Sequence, residues 1–129
     1  MVVDSSVLIA ILLGEDDAQP FIQILADTDK IYISAVTLVE SAMVIEYKKG
    51  ESGAKKYDEL LTVLSANIVA FDSQQARLAR VAWQNYGKGR HPAKLNFGDC
   101  CSYAAAKFLD LPLLFKGNDF SQTDIQRVC

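Results

Sequence analysis

Four short apolar runs, separated by helix-length segments, constrain the fold of this chain more than any other feature. Val2-Val3, Ile31-Tyr32-Ile33, Ile68 to Phe71 and Leu113-Leu114-Phe115 are strand-sized. The first three are each followed by a polar capping residue and then a stretch with helical punctuation. After the first strand, Asp4 and Ser5-Ser6 open a helix through the run Val7 to Leu13, with Gly14 as its stop. Glu15 to Asp17 opens a second helix with Pro20 in its first turn and Phe21, Ile22, Ile24 and Leu25 as its stripe. Ser34 caps a helix that runs to Lys49 and stops at Gly50; Val36, Val39, Met43 and Tyr47 recur along it at helical spacing. A further helix spans Ser52 to Ala66, with Tyr57, Leu60, Leu61 and Leu64 turned inward. Asp72-Ser73 caps Gln74 to Tyr86, and the last helix covers Phe97 to Asp110, with Pro112 marking its break. Strands alternating with helices predict a three-layer α/β/α fold around a mostly parallel sheet of four to five short strands, the fifth near Ile125.

At 129 residues the chain has material for one core, so residues 1–129 are read as one domain. With 50% hydrophobic and 22% charged residues, general disorder is excluded. The longest apolar run, Val7 to Leu13, is far short of the roughly 20 residues of a membrane span. Asp4 interrupts what would be a signal-peptide core. Three cysteines, two of them adjacent at Cys100-Cys101, make no disulfide framework. A lone histidine without a C-x-x-C pair makes no structural zinc site. These features read as a cytoplasmic protein with no membrane partner. The net charge of −3 counts only weakly against a phosphate-bearing substrate. If four acids form one cation site, the rest of the chain holds 13 basic against 12 acidic groups.

Four acids stand out. Asp4 and Asp119 lie just past strand ends, where open parallel sheets bind ligands. Asp99 falls in the first turn of a helix, within Asn96-Phe97-Gly98-Asp99-Cys100. Glu40 shares a helix face with Val36, Met43 and Val44, where a carboxylate is costly unless paired or coordinated. Each has an ordinary reading as a cap, dipole partner or turn residue. Converging carboxylates repel, and make sense only with protons or a cation between them. Hard oxygen donors with no soft ligand select Mg²⁺ or Mn²⁺. Spacing alone does not establish the convergence.

Four segments together are highly specific: Val2-Val3-Asp4-Ser5-Ser6-Val7-Leu8, Ser34 through Glu40, Tyr86 through Cys100 and Leu113 through Asp124. With these in order, the whole chain resembles the PIN-domain ribonucleases, and within them the VapC toxins of bacterial toxin–antitoxin pairs. The resemblance implies a PIN-like fold and an acidic constellation of Asp4, Glu40, Asp99 and Asp119 holding one or two Mg²⁺ ions, with Mn²⁺ able to substitute. Ser6 would hydrogen-bond within the constellation. Ser5 stands where threonine is common, and Asn118 where many relatives have a further acid, which bears on how a second metal is held.

The implied function is a Mg²⁺-dependent endoribonuclease toxin whose metal-activated water leaves 5′-phosphate and 3′-hydroxyl ends. Its implied partners are RNA, a cognate antitoxin protein and a second copy in a homodimer. The basic loop Gly87 to Lys94 offers Lys88, Arg90, His91 and Lys94 as RNA contacts or as a solvated charge run. His91 reads as a loop or RNA-contact residue rather than a general base. The first two helices hold a surplus of apolar residues, Ile9, Ile11, Leu12, Leu13, Phe21, Ile22, Ile24 and Leu25, a surface for an amphipathic antitoxin segment. Two rivals remain. A phosphoaspartate receiver or phosphatase-like domain is disfavoured because Ser6 stands where a second acid is wanted. A non-catalytic PIN-fold binding or assembly module has no need of four repelling acids.

Overall fold

The computed structural model describes residues 1–128. In chain order the elements are β1 (Val2–Val3), α1 (Ser5–Leu12), α2 (Ala18–Ala26), β2 (Tyr32–Ser34), α3 (Ala35–Leu64), β3 (Asn67–Val69), α4 (Ser73–Tyr86), α5 (Phe97–Leu109) and β4 (Leu113–Leu114), closed by a 3-10 turn at Phe120–Gln122. The strands form one sheet in the order β3-β2-β1-β4, and every pairing is parallel. Val2 sits opposite both Tyr32 and Leu113, so β1 is central.

Side-chain alternation along these short strands builds two cores. Val3, Ile33 and Leu114 join Val7, Leu8, Leu25, Ile45 and Tyr57 beneath α1, α2 and α3. Val2 and Leu113 point the other way, onto Ala82, Cys100, Tyr103 and Ala106 beneath α4 and α5. Both faces are thus covered, as a parallel sheet requires. The chain runs outward through β2 and β3, then crosses back to place β4 on the far side of β1. That reversal makes a topological switch point between β1 and β4, at the carboxyl ends of the strands.

The structure departs from the sequence expectations in three places. The sheet is wholly parallel with four named strands, and the fifth expected near Ile125 shrinks to a single bridge between Leu113 and Arg127. The chain before it is taken up by the 3-10 turn, and meets β4 only through Leu113 N donating to the Gln126 carbonyl and Val128 N to that of Leu113. β3 ends at Val69 because the Ala70 carbonyl accepts from the Gln75 side chain at 2.8 Å. Gly50 does act as the expected helix stop: at φ 66° and ψ −155° it breaks α3, so that Ala35–Leu64 is two helices meeting at a kink. Most consequential is the face that α3 buries. Thr37, Ser41 and Ile45 are buried, whereas Val39, Met43 and Tyr47 are 54%, 67% and 91% exposed. The apolar stripe of α3 faces outward. The surplus on α1 and α2 is instead largely absorbed, since Ile9, Ile11, Leu12, Leu13, Phe21 and Ile24 pack against the core.

Candidate active site

Asp4 leaves the end of β1 with its backbone N–H donating to the Leu114 carbonyl at 3.0 Å, which locks it to β4. Its side chain caps α1, with Oδ2 accepting from Ser6 N at 3.1 Å. The other oxygen, Oδ1, accepts from the Ser102 hydroxyl at 2.6 Å, and the carboxylate is almost wholly buried. Ser102 has one hydroxyl proton and gives it to Asp4, so the buried Thr37 hydroxyl, 3.1 Å away, is the donor in their mutual bond. A relay of two hydroxyls from α3 and α5 therefore fixes the Asp4 carboxylate. Ser6 takes part differently from expectation. Its backbone N–H contacts Asp4, while its Oγ accepts from Lys116 N at 3.0 Å, tying α1 to the segment after β4.

Asp99 is held by a capping box at the start of α5: its N–H donates to Asn96 Oδ1 at 2.9 Å, and its Oδ2 accepts from Asn96 N at 3.0 Å. Burial pushes its carboxyl up to about 7, and the charges of Asp4, Asp119 and Glu40 push the same way against the hydrogen bond from Asn96. Among the described residues, no lysine or arginine forms an ion pair with any of the four acids. The four acids named from sequence therefore share one electrostatic neighbourhood.

Glu40 reaches this neighbourhood by lying over Gly98. A Cβ built at Gly98 would fall onto the Glu40 carboxylate, within 2.6 Å of its Cδ. Gly98 thus lets a helix backbone and a carboxylate approach closely, near the positive end of the α5 dipole. This corrects the sequence argument about Glu40. Of the neighbours invoked from sequence, Met43 is exposed and Val36 and Val44 only half-buried, and the close approach to α5 adds to the shielding of Glu40. Asp119 is exposed at the start of the 3-10 turn. Lys116, the nearby cation, is committed elsewhere: it pairs with Glu15 and lies 3.1 Å from Asp17.

These donors suit a hard cation: all are carboxylate oxygens, and among the described residues no basic side chain pairs with them. Among the described residues, however, no three His, Cys, Asp or Glu side chains stand in a ready-made ligand arrangement. Asp4 and Asp99 already accept hydrogen bonds, and Asp119 stands out toward solvent. Cys100 and Cys101 are buried, with thiols pushed up to about 11 and about 12 by desolvation, and offer no thiolate ligand.

The basic loop lies beside α5. Lys88 lines a cavity with Asn96, Phe97 and Cys100, and Arg90 stacks over Trp83 at 4.5 Å. Lys94 is exposed with φ 56°, and His91 is a structural loop residue whose Nδ1 accepts from Ala93 N at 3.0 Å. Ser102, Thr37 and Gly98 were missed as site residues. Ser102 and Thr37 looked like ordinary helix positions, and their only sequence signal was the polar face they give to otherwise apolar helices.

The PIN domain family model matches residues 1–126. The chain belongs to the PIN-domain family. It is 47% identical to the "Ribonuclease VapC" of Mycolicibacterium smegmatis over 128 residues, covering 99% of each chain. Such identity over the full length places it with the VapC ribonucleases. Among solved structures, it resembles Mycobacterium tuberculosis VapC20, a sarcin–ricin-loop-cleaving toxin, with a TM-score of 0.80 at 17% identity, covering 98% of this chain and 97% of that one. It also resembles a chain of a toxin–antitoxin complex from Klebsiella pneumoniae, with a TM-score of 0.73 at 20% identity, covering 95% and 92% respectively. At these identities the two structures speak to the fold, which is the PIN-like α/β arrangement.

Proposed function

We propose that this protein is a Mg²⁺-dependent endoribonuclease that cuts RNA by attack of water and is held in check by a cognate antitoxin. The observation that carries this reading is the shared, unneutralised negative field of Asp4, Glu40, Asp99 and Asp119 at the switch point of a parallel sheet. When bound there, Mg²⁺ or Mn²⁺ would activate water and neutralise charge developing on a phosphate. Asp4 and Asp99 would hold the ion, one oriented by Ser102 and Ser6, the other by Asn96, with Glu40 reaching it from α3 and Asp119 from the segment after β4. A histidine-based route through the RNA's own 2′-hydroxyl is poorly equipped, since His91 is the one histidine and already serves its loop. By likeness to the family, the oxygen displaced by water would be the 3′ one, which gives 5′-phosphate and 3′-hydroxyl ends.

The exposed apolar face of α3, with Phe97 at 75% exposure, gives such a nuclease a surface for protein partners: a second copy of the chain or an antitoxin segment. It adds to the α1–α2 surface expected from sequence, whose apolar residues are mostly half-buried. Incubating end-labelled RNA with the purified protein in Mg²⁺, in Mn²⁺ and in chelator tests the proposal. Cleavage should require the metal and vanish in Asp4→Asn. Metal-independent cutting, or 2′,3′-cyclic phosphate ends, would overturn the mechanism.

A further inference from the structure

Beside the acidic site, between α4 and the start of α5, lies a cavity of about 480 Å³. That is within the roughly 300–1,000 Å³ of small-ligand pockets. Its wall is mostly apolar, with Phe71, Trp83 and Phe97 as the large rings, and Arg80 and Lys88 as its charged members; no acid lines it. Trp83 is held in place by its surroundings. A Cβ at Gly87 would lie 2.5 Å from the ring's Cδ1, so the ring rests against bare backbone, and the Arg90 guanidinium sits 4.5 Å from its centroid. The cavity adjoins the acids through the capping box, since Asn96, Phe97 and Cys100 line it while Asn96 also holds Asp99. Asn96 uses its side-chain oxygen on Asp99 N, which leaves its amide nitrogen as a donor for an edge of a ligand.

We infer that this cavity is a nucleobase subsite, taking one unpaired base of the substrate RNA next to the cleaved bond. The inference rests on the nuclease reading above and names how that nuclease selects its substrate. Aromatic faces that are themselves backed by a guanidinium favour flat π-systems. Arg80, Lys88 and Arg90 supply positive charge for the phosphates on either side of such a base. A purely apolar protein segment would gain nothing from three cations and would leave them facing a neutral partner. The subsite accounts for an acidic protein having a local positive surface beside its carboxylates. It also commits the enzyme to single-stranded or looped RNA, because a base inside a duplex cannot enter.

Trp83 is the chain's single tryptophan and reports on the cavity directly. Short oligoribonucleotides titrated into the wild-type protein in chelator, where nothing is cut, should quench its fluorescence saturably. An abasic nucleotide at one position should weaken binding about tenfold and abolish the quench, whereas abasic sites elsewhere should not. In Mg²⁺, Trp83→Leu should raise KM about tenfold and flatten base preference at that position, while Trp83→Phe restores both. Quenching without cleavage would leave the subsite standing and remove the nuclease reading. Cleavage with neither quenching nor any change of preference in Trp83→Leu would remove the subsite and leave the nuclease. Quenching that follows protein concentration instead of RNA would assign the cavity to a protein interface and overturn the inference. Should Trp83→Leu fail to fold, the wild-type titration decides alone.

Discussion

Ser102 gives its one proton to a buried carboxylate, so its loss should be felt twice. In Ser102→Ala, Asp4 keeps only the Ser6 N–H, and the Thr37 hydroxyl loses its acceptor. We expect a loss of about 1–3 kcal/mol in urea denaturation, and a drop of roughly 10–100-fold in Mg²⁺ affinity because an orienting partner is gone. Asp99 should behave in the opposite sense. Its folded carboxyl titrates near 7, above the ordinary value of 3.8, so between these pH values the native state binds a proton that the unfolded chain does not. Stability in chelator therefore falls as pH rises through that window. Asp99→Asn should be more stable than wild type at pH 8 by about 2 kcal/mol after allowance for solvent screening. The two should converge below pH 4, and the variant should not cut RNA. Equal stability at pH 8 would mean that neither burial nor the neighbouring acids raise the Asp99 carboxyl. The same proton competes with a metal ion, so the Mg²⁺ needed for half-maximal cleavage should rise as pH falls below about 7.

At the scale of elements, much was readable because local chemistry governs it. Asp4, Ser34 and Asp72 cap helices as read, Asn96 adds a cap that was not read, and the strand–helix order gives the architecture. Asp4, Asp119 and Asp99 could be named from the chain because strand ends and first turns are legible in sequence, and Glu40 because it interrupts an apolar helix face. What sequence hid was the orientation of α3. Periodicity shows that Val36, Val39, Met43 and Tyr47 share a side of a helix, but not whether that side meets the core. Here Thr37 and Ser41 go inward, because buried Ser102 and Tyr57 offer hydroxyl partners at 3.1 and 2.7 Å. A polar face could be buried only because its bonds are satisfied by residues far along the chain, which no local window shows. The consequence is testable. Val39→Lys with Met43→Lys should change monomer stability by less than about 0.5 kcal/mol, yet abolish any self-association or antitoxin binding through this face, as read by sedimentation. A double variant that unfolds would show that the stripe belongs to the core after all.

Over the whole molecule, the site is assembled from both ends of the chain. β1, at residues 2–3, has its two edges closed by β2 and by β4, at residues 113–114, and Asp4 is bonded to Leu114. Pairing of such distant segments carries a high loop-closure cost and delays folding until both are present. A chain ending at Asp110 lacks β4 and Asp119. It should show neither cooperative unfolding nor RNA cleavage, and cleavage by that fragment would contradict the assembly described here. The same arrangement bears on synthesis. A ribosome has to release the chain through Leu114 before the first strand acquires its second neighbour, so products abandoned ahead of that point should be inert.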